Sequence, residues 1–277
     1  MRVYISIDAE GCSGIYKLAQ VDPANPDYPL CRHAMEEDAN AAIRGAFAAG
    51  ATEVVVNDAH NRGDNIRIDN LDPRALLISG SDRPHSMMEG ISSAFDAALL
   101  LGYHSRKGAE GVISHTYYYG SVVEVRVNGK PVAEYEINGL MAGHFGVPVV
   151  FLSGDDCVTE DAKANIPGVA AVATKQAIGC GAACCVHPSL VRPQIEEKVR
   201  DALSGLKTAP IKPMSAGSAI VLEIRFVSHG HGAMAALMPG AQRTDPVTLR
   251  YESGNFGSAF QAFLCMLNLA ACFKERE

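Results

Sequence analysis

Five short runs constrain the fold of this chain more than any other feature. Residues 3–7, 53–57, 98–103, 149–153 and 170–174 are β-prone and nearly unbroken in apolar side chains. A strand that is apolar at both parities is one covered on both faces. Between these runs, residues 32–49 carry a helical periodicity that stops at Gly50, and residues 156–165 form a second helical stretch ending before Pro167. Such alternation predicts an α/β fold: a mostly parallel central sheet flanked by helices.

One segment departs from the alternation. Residues 121–127, then Asn128-Gly129-Lys130, then residues 131–133 read as a hairpin, with Asn-Gly suited to a tight primed turn. Residues 188–206 predict a long helix with charged outer positions. Beyond the Pro-, Ser- and Gly-bearing stretch 209–218, an alternating strand at 219–227 and a final helix at 254–273 predict a smaller C-terminal α+β portion. The expected division is a catalytic α/β domain over 1–210 and an α+β subdomain over 211–277.

Composition narrows the function classes. With 48% hydrophobic and 20% charged residues, the 277-residue chain has ample material for a core. The net charge of −7 and the lack of a basic run argue against a nucleic-acid partner. No stretch approaches the ~20 apolar residues that span a membrane. The first strand starts almost at Met1, leaving no room for a signal peptide, so a cytoplasmic location is expected. The eight cysteines fit that compartment as small apolar residues rather than disulfide partners. Cys180 and Cys184 have the wherewithal to bind metal, but no second Cys pair at zinc-site spacing accompanies them.

The first strand ends in Asp8 and Glu10, which point to one side if the chain stays extended. Two anions on one side repel, and burial sharpens the repulsion, so a positive partner is expected. Asp58 and His60 follow the second run and His104 the third; His115 ends Gly-Val-Ile-Ser-His, and Glu134 ends the hairpin's return strand. Asp8, Glu10, His60, His104 and Glu134 should therefore gather at the carboxyl edge of the sheet, where open parallel sheets bind ligands. Three carboxylates and two imidazoles suffice for two divalent ions if one carboxylate bridges. The mixed N/O set favours Zn²⁺, with Mn²⁺ and Co²⁺ as alternatives. Singly, each residue has a plainer reading: a loop histidine with one hydrogen bond, a turn-capping Asp8, or a Glu134 that starts a helix through 136–143.

Five blocks, in order, resemble the M55 (DppA) family of zinc D-aminopeptidases: S-I-D-A-E-G at Ser6–Gly11, N-D-A-H at Asn57–His60, G-Y-H at Gly102–His104, S-H at Ser114–His115 and P-V-A-E at Pro131–Glu134. I-S-G at Ile78–Gly80, G-D-D at Gly154–Asp156 and L-M-P-G at Leu237–Gly240 extend the resemblance over nearly the whole chain. It implies Asp8 as the carboxylate shared by two zinc ions, Glu10 and His104 completing one, and His60 and Glu134 completing the other. It also implies His115 as the catalytic histidine, release of N-terminal D-amino acids such as D-Ala from short peptides, and a ring-stacked homo-decamer.

Metal-activated water is the expected attacking group, with His115 moving protons; covalent attack by His115 is the alternative. Asp58 and Asp155 are expected to cap turns, with binding of the substrate amine as their other reading. Tyr117, Tyr118 and Tyr119 read either as cleft lining or as tyrosines on a strand or subunit contact. His229-Gly230-His231 is expected on a flexible loop, and Arg62, Arg83, Arg106 and Lys107 in solvent. The rival functions are another two-metal amidohydrolase or phosphohydrolase, and a non-enzymatic small-peptide or metal-binding protein.

Overall fold

The computed structural model describes residues 1–273. Within these residues, twelve strands form two sheets. The strands are β1 (Arg2–Ile7), β2 (Glu53–Asp58), β3 (Leu76–Ile78), β4 (Ala97–Tyr103), β5 (Val122–Val127), β6 (Lys130–Pro131), β7 (Val149–Asp155), β8 (Ala170–Gly179), β9 (Ala182–Cys185), β10 (Ile220–Phe226), β11 (Gln242–Asp245) and β12 (Thr248–Ser253). The helices are α1 (Tyr28–Ala48), α2 (Glu134–His144), α3 (Asp156–Asn165), α4 (Pro188–Gly205), α5 (His229–Ala235) and α6 (Phe256–Ala271).

The five apolar runs become the spine of a seven-stranded sheet, order β3-β2-β1-β4-β7-β8-β9. Every pairing is parallel except β8 with β9. Alternation along β1 explains why both parities are apolar. Val3, Ile5 and Ile7 enter one core with α1 and α4, while Tyr4 enters a second with α2 and α6. The expected flanking of a mostly parallel sheet by helices holds.

The second sheet, order β11-β12-β10-β5-β6, is antiparallel. Its β5–β6 hairpin turns through Asn128 at φ 52° and Gly129 at φ 79°, the left-handed pair a primed turn requires. The hairpin pairs with β10, so this sheet draws on chain from both sides of residue 210. One boundary corrects the sequence reading. β6 ends at Pro131, and Glu134 is the first residue of α2 rather than the last of a return strand. His115 itself is delivered by a loop, with Ile113 at φ 52°.

Other expectations are revised locally. His229-Gly230-His231 opens α5, where the Ser228 hydroxyl accepts from the His231 backbone N–H, so no flexible loop lies there. Cys12 and Cys31 are buried as expected, but Cys180, Cys184, Cys185 and Cys272 are exposed. No helix among the described residues is long and apolar enough to cross a membrane.

Candidate metal centre

The carboxyl ends of β1, β2 and β4 deliver the site. After β1 the chain doubles back against β4: the Asp8 N–H donates to Leu101 O at 2.8 Å, and the Gly11 N–H to Gly102 O at 2.8 Å. This approach requires glycine on both sides, because a Cβ on Gly11 would overlap Tyr103 O and one on Gly102 would overlap Asp8 O. From the other side, the middle of β8 holds three successive carbonyls of the same loop. Lys175 Nζ donates to Glu10 O at 2.7 Å and Cys12 O at 2.9 Å, and Thr174 Oγ1 to Gly11 O at 2.7 Å. Lys175 is fully buried, and no carboxylate among the described residues lies within ion-pair distance of it. It is thus a cation set directly under the acidic cluster. Its signal in the sequence is a lone lysine closing an apolar run, a pattern too common to mark a site.

Asp8 stands between two histidines. Its Oδ1 lies 3.1 Å from His60 Nδ1 and its Oδ2 3.4 Å from His104 Nε2. Glu10 Oε2 is 3.3 Å from His60 Nδ1, and Glu134 Oε1 is 3.3 Å from His104 Nε2. All five side chains are buried. Each imidazole spends one nitrogen on the backbone: His60 Nε2 on Val21 O at 3.1 Å, and His104 Nδ1 on Ser105 O at 3.0 Å. The other nitrogen faces the carboxylates, the arrangement that outer hydrogen bonds impose on metal-binding histidines.

The electrostatics ask for positive charge. Burial alone would lower the pKa of His60, but Glu10 and Asp8 outweigh it and raise it well above the usual value. Burial also works against His104, and Glu134 and Asp8 overturn it in the same way. For Asp8, burial pushes the pKa up while His104 and His60 pull it well below the carboxylate range. Two atoms of the cluster, Glu10 Oε2 and His104 Nε2, are buried without a hydrogen-bond partner. Buried lone pairs left this way are costly unless something coordinates them. The donor set therefore fits a divalent metal. Asp8, Glu10 and His104 offer atoms all within 4.8 Å of one another, as do His104, His115 and Glu134. His60 falls in neither trio; its contacts are with Asp8 and Glu10.

His115 lies flat on His104, with ring centroids 4.1 Å apart and planes at 7°. Its Nδ1 bonds to Ile113 O at 2.8 Å, leaving Nε2 3.7 Å from Glu134 Oε1. Tyr119 meets its edge at 5.4 Å. Tyr117, at φ 56°, gives its N–H to Glu134 Oε1 at 2.6 Å and its hydroxyl to Asn138 Oδ1 at 2.7 Å. Asn138 continues to Tyr103, and Tyr103 to Ser6, a polar chain beneath the site that no local motif announces. Asp58 and Asp155 cap turns as expected: Asp58 accepts from the Asn65 and Ile66 N–H groups, and Asp155 from Val158 at the start of α3.

The cluster opens into a cleft of about 960 Å³, walled by residues 81–87 on one side and by α6 on the other. Asp8, Glu10, His60, His115 and Glu134 all reach it, as do Tyr117 and Tyr118. Arg83 also reaches it, half-buried rather than solvated as expected.

Residues 1–265 match the family model for M55 peptidases, described as D-aminopeptidase. The chain belongs to the M55 D-aminopeptidase family. It is accordingly a peptidase, a hydrolase acting on peptide bonds. A curated D-aminopeptidase of Bacillus subtilis (strain 168) is 38% identical over 271 residues, 98% of each chain. A solved structure described as the Zn-dependent D-aminopeptidase DppA from Bacillus subtilis, a self-compartmentalizing protease, superposes with a TM-score of 0.95 at 37% identity, covering all of both chains. This M55 chain shares the fold of that protein from end to end.

Proposed function

We propose that the chain is a zinc-dependent D-aminopeptidase that releases N-terminal D-amino acids, D-Ala among them, from short peptides at a dinuclear site. The observation that carries this reading is Asp8, whose two oxygens face His60 and His104 separately, as a bridging carboxylate must. Glu10 and His104 would complete the ligands of one ion, and the close trio they form with Asp8 supports that assignment. His60 and Glu134 would complete the second. Manganese or cobalt would suit the same N/O donors. When bound, zinc supplies polarisation of the scissile carbonyl and brings the pKa of a bound water toward ~7.

His115 is the residue placed to move the proton. With Nδ1 tied to Ile113 O, its Nε2 is the nitrogen free to take a proton from the attacking water and return it to the leaving amine. The stack on His104 holds the ring in one plane. Replacing it as His115→Asn is expected to lower kcat by about 10²–10⁴-fold, the range for a positioned acid–base group. Zinc content should be unchanged, which metal analysis of the variant checks.

Enclosure in a homo-oligomer, a decamer in our reading, would restrict the cleft to small peptides; the superposable Bacillus subtilis protein is described as self-compartmentalizing, which supports an assembly of this kind. The free thiols of the described residues support a reducing, cytoplasmic setting. We also read residues 211–277 as a C-terminal α+β portion whose strands extend the sheet begun by β5 and β6. The reading is tested by hydrolysis of D-Ala-D-Ala and L-Ala-L-Ala, with zinc-loaded and chelator-stripped protein. Metal-dependent cleavage of the D-dipeptide alone is expected. Cleavage of neither by protein that holds zinc would overturn the substrate assignment.

A further inference from the structure

We infer that Arg83 is the subsite for the free C-terminal carboxylate of the peptide, which makes the enzyme selective for short peptide acids; the inference rests on the aminopeptidase reading above. Arg83 shares the cleft with Asp8, Glu10, His60 and Glu134. Its guanidinium is fixed from behind. Nη1 donates to Asn57 Oδ1 at 2.6 Å and to Asp58 O at 2.9 Å, both at the end of the strand that leads to His60. Gly63 is shaped around it: a Cβ there would stand 2.6 Å from Nη2 and 2.9 Å from Cζ. The Gly63 carbonyl is in turn held by the Gly80 N–H at 2.6 Å, which ties the Arg83 segment to the loop after His60.

What the guanidinium lacks is an anion. No carboxylate of the described residues lies within 4.0 Å of it, and Nε and Nη2 make no hydrogen bond with them. The Asp58 carboxylate, at the same strand end, is already engaged by Asn65 and Ile66. The segment also departs from relaxed backbone, with Asp82 at φ 63° and Ser86 at φ 47° on either side of Arg83. A half-buried, pre-fixed guanidinium with unspent N–H groups suits bidentate binding of a carboxylate. A peptide whose amino end meets Glu10 and the metals presents such a group at its other end. The second cation of the cleft, Arg62, is exposed and has no comparable fixation.

The test compares kcat/KM for the di- and tripeptides of D-alanine with the same peptides carrying a C-terminal amide, using zinc-loaded protein. An acid-to-amide ratio of about tenfold or more is expected at one length at least, given the usual strength of hydrogen bonds to charged groups. In Arg83→Gln the ratio should fall to about one, with the loss on the acid residing in KM; Arg83→Lys should keep part of it. A ratio near one at both lengths in the wild type overturns the subsite while leaving the peptidase reading intact. So does an Arg83→Gln enzyme that retains the wild-type ratio. Should Arg83→Gln fail to fold, the wild-type ratio and Arg83→Lys decide the matter alone. Hydrolysis of neither acid nor amide by zinc-loaded wild type would instead overturn the peptidase reading, and the subsite with it.

Discussion

Asp8→Asn is expected to abolish measurable turnover, lowering kcat/KM by about 10³-fold or more. Removal of a single preorganised electrostatic group from a catalytic site costs roughly 10²–10³-fold, and Asp8 contacts both halves of this cluster. The substitution is nearly isosteric, so the turn survives: the Ala9 N–H that bonds Asp8 Oδ1 at 2.9 Å still finds a carbonyl oxygen. What disappears is the charge between His60 and His104. The variant should therefore fold with a near-normal melting temperature yet retain less zinc than the wild type after dialysis. Glu10→Gln, which removes a ligand of one ion only in this reading, should lose less. Wild-type zinc content in Asp8→Asn would contradict the bridging role.

Gly102→Ala is expected to be severely destabilising for a single added methyl group. Gly102 sits inside β4 at φ 68°, a conformation that costs an L-residue roughly 1–2 kcal/mol. The added Cβ would also overlap the Asp8 carbonyl oxygen and come within 2.7 Å of Cys12 Sγ. Neither neighbour can yield. The Asp8 peptide is held by the Leu101 carbonyl, and the loop beyond it by Lys175 and Thr174. Overpacking against fixed backbone belongs with the exceptional losses, above about 4 kcal/mol. Denaturant unfolding of the apo variant should show this loss, together with weak zinc uptake, because the same shift displaces Asp8. A variant of unchanged stability would mean that the loop is looser than these contacts imply.

The sequence revealed most about whatever is covered on two faces or repeated in type at one edge. The first four runs announced the parallel sheet because both sides of β1, β2, β4 and β7 are buried, which leaves an unbroken apolar signature; the fifth, in β8, is only partly covered. Asp8, Glu10, His60 and His104 were legible because each closely follows such a run. Glu134 was found for a partly wrong reason: it arrives through a helix start, after a hairpin that belongs to the other sheet. β11, exposed along its whole length, and β9, built of Ala and Cys, carry too little hydrophobic contrast to be seen in advance. The grip of Lys175 on the Glu10 loop spans 165 positions, and the Arg83 contacts with Asn57 and Asp58 span 26 and 25. No local pattern encodes pairings of that kind. His115 was identified by its family motif, and its stack on His104 came only with the tertiary structure.

The most direct test of the dinuclear account is anomalous diffraction at the zinc edge from crystals of the zinc-loaded protein. Two peaks per subunit are predicted, one on the Oδ1 side of Asp8 toward His60 and one on the Oδ2 side toward His104. A single peak, or two peaks that do not share Asp8, would contradict it.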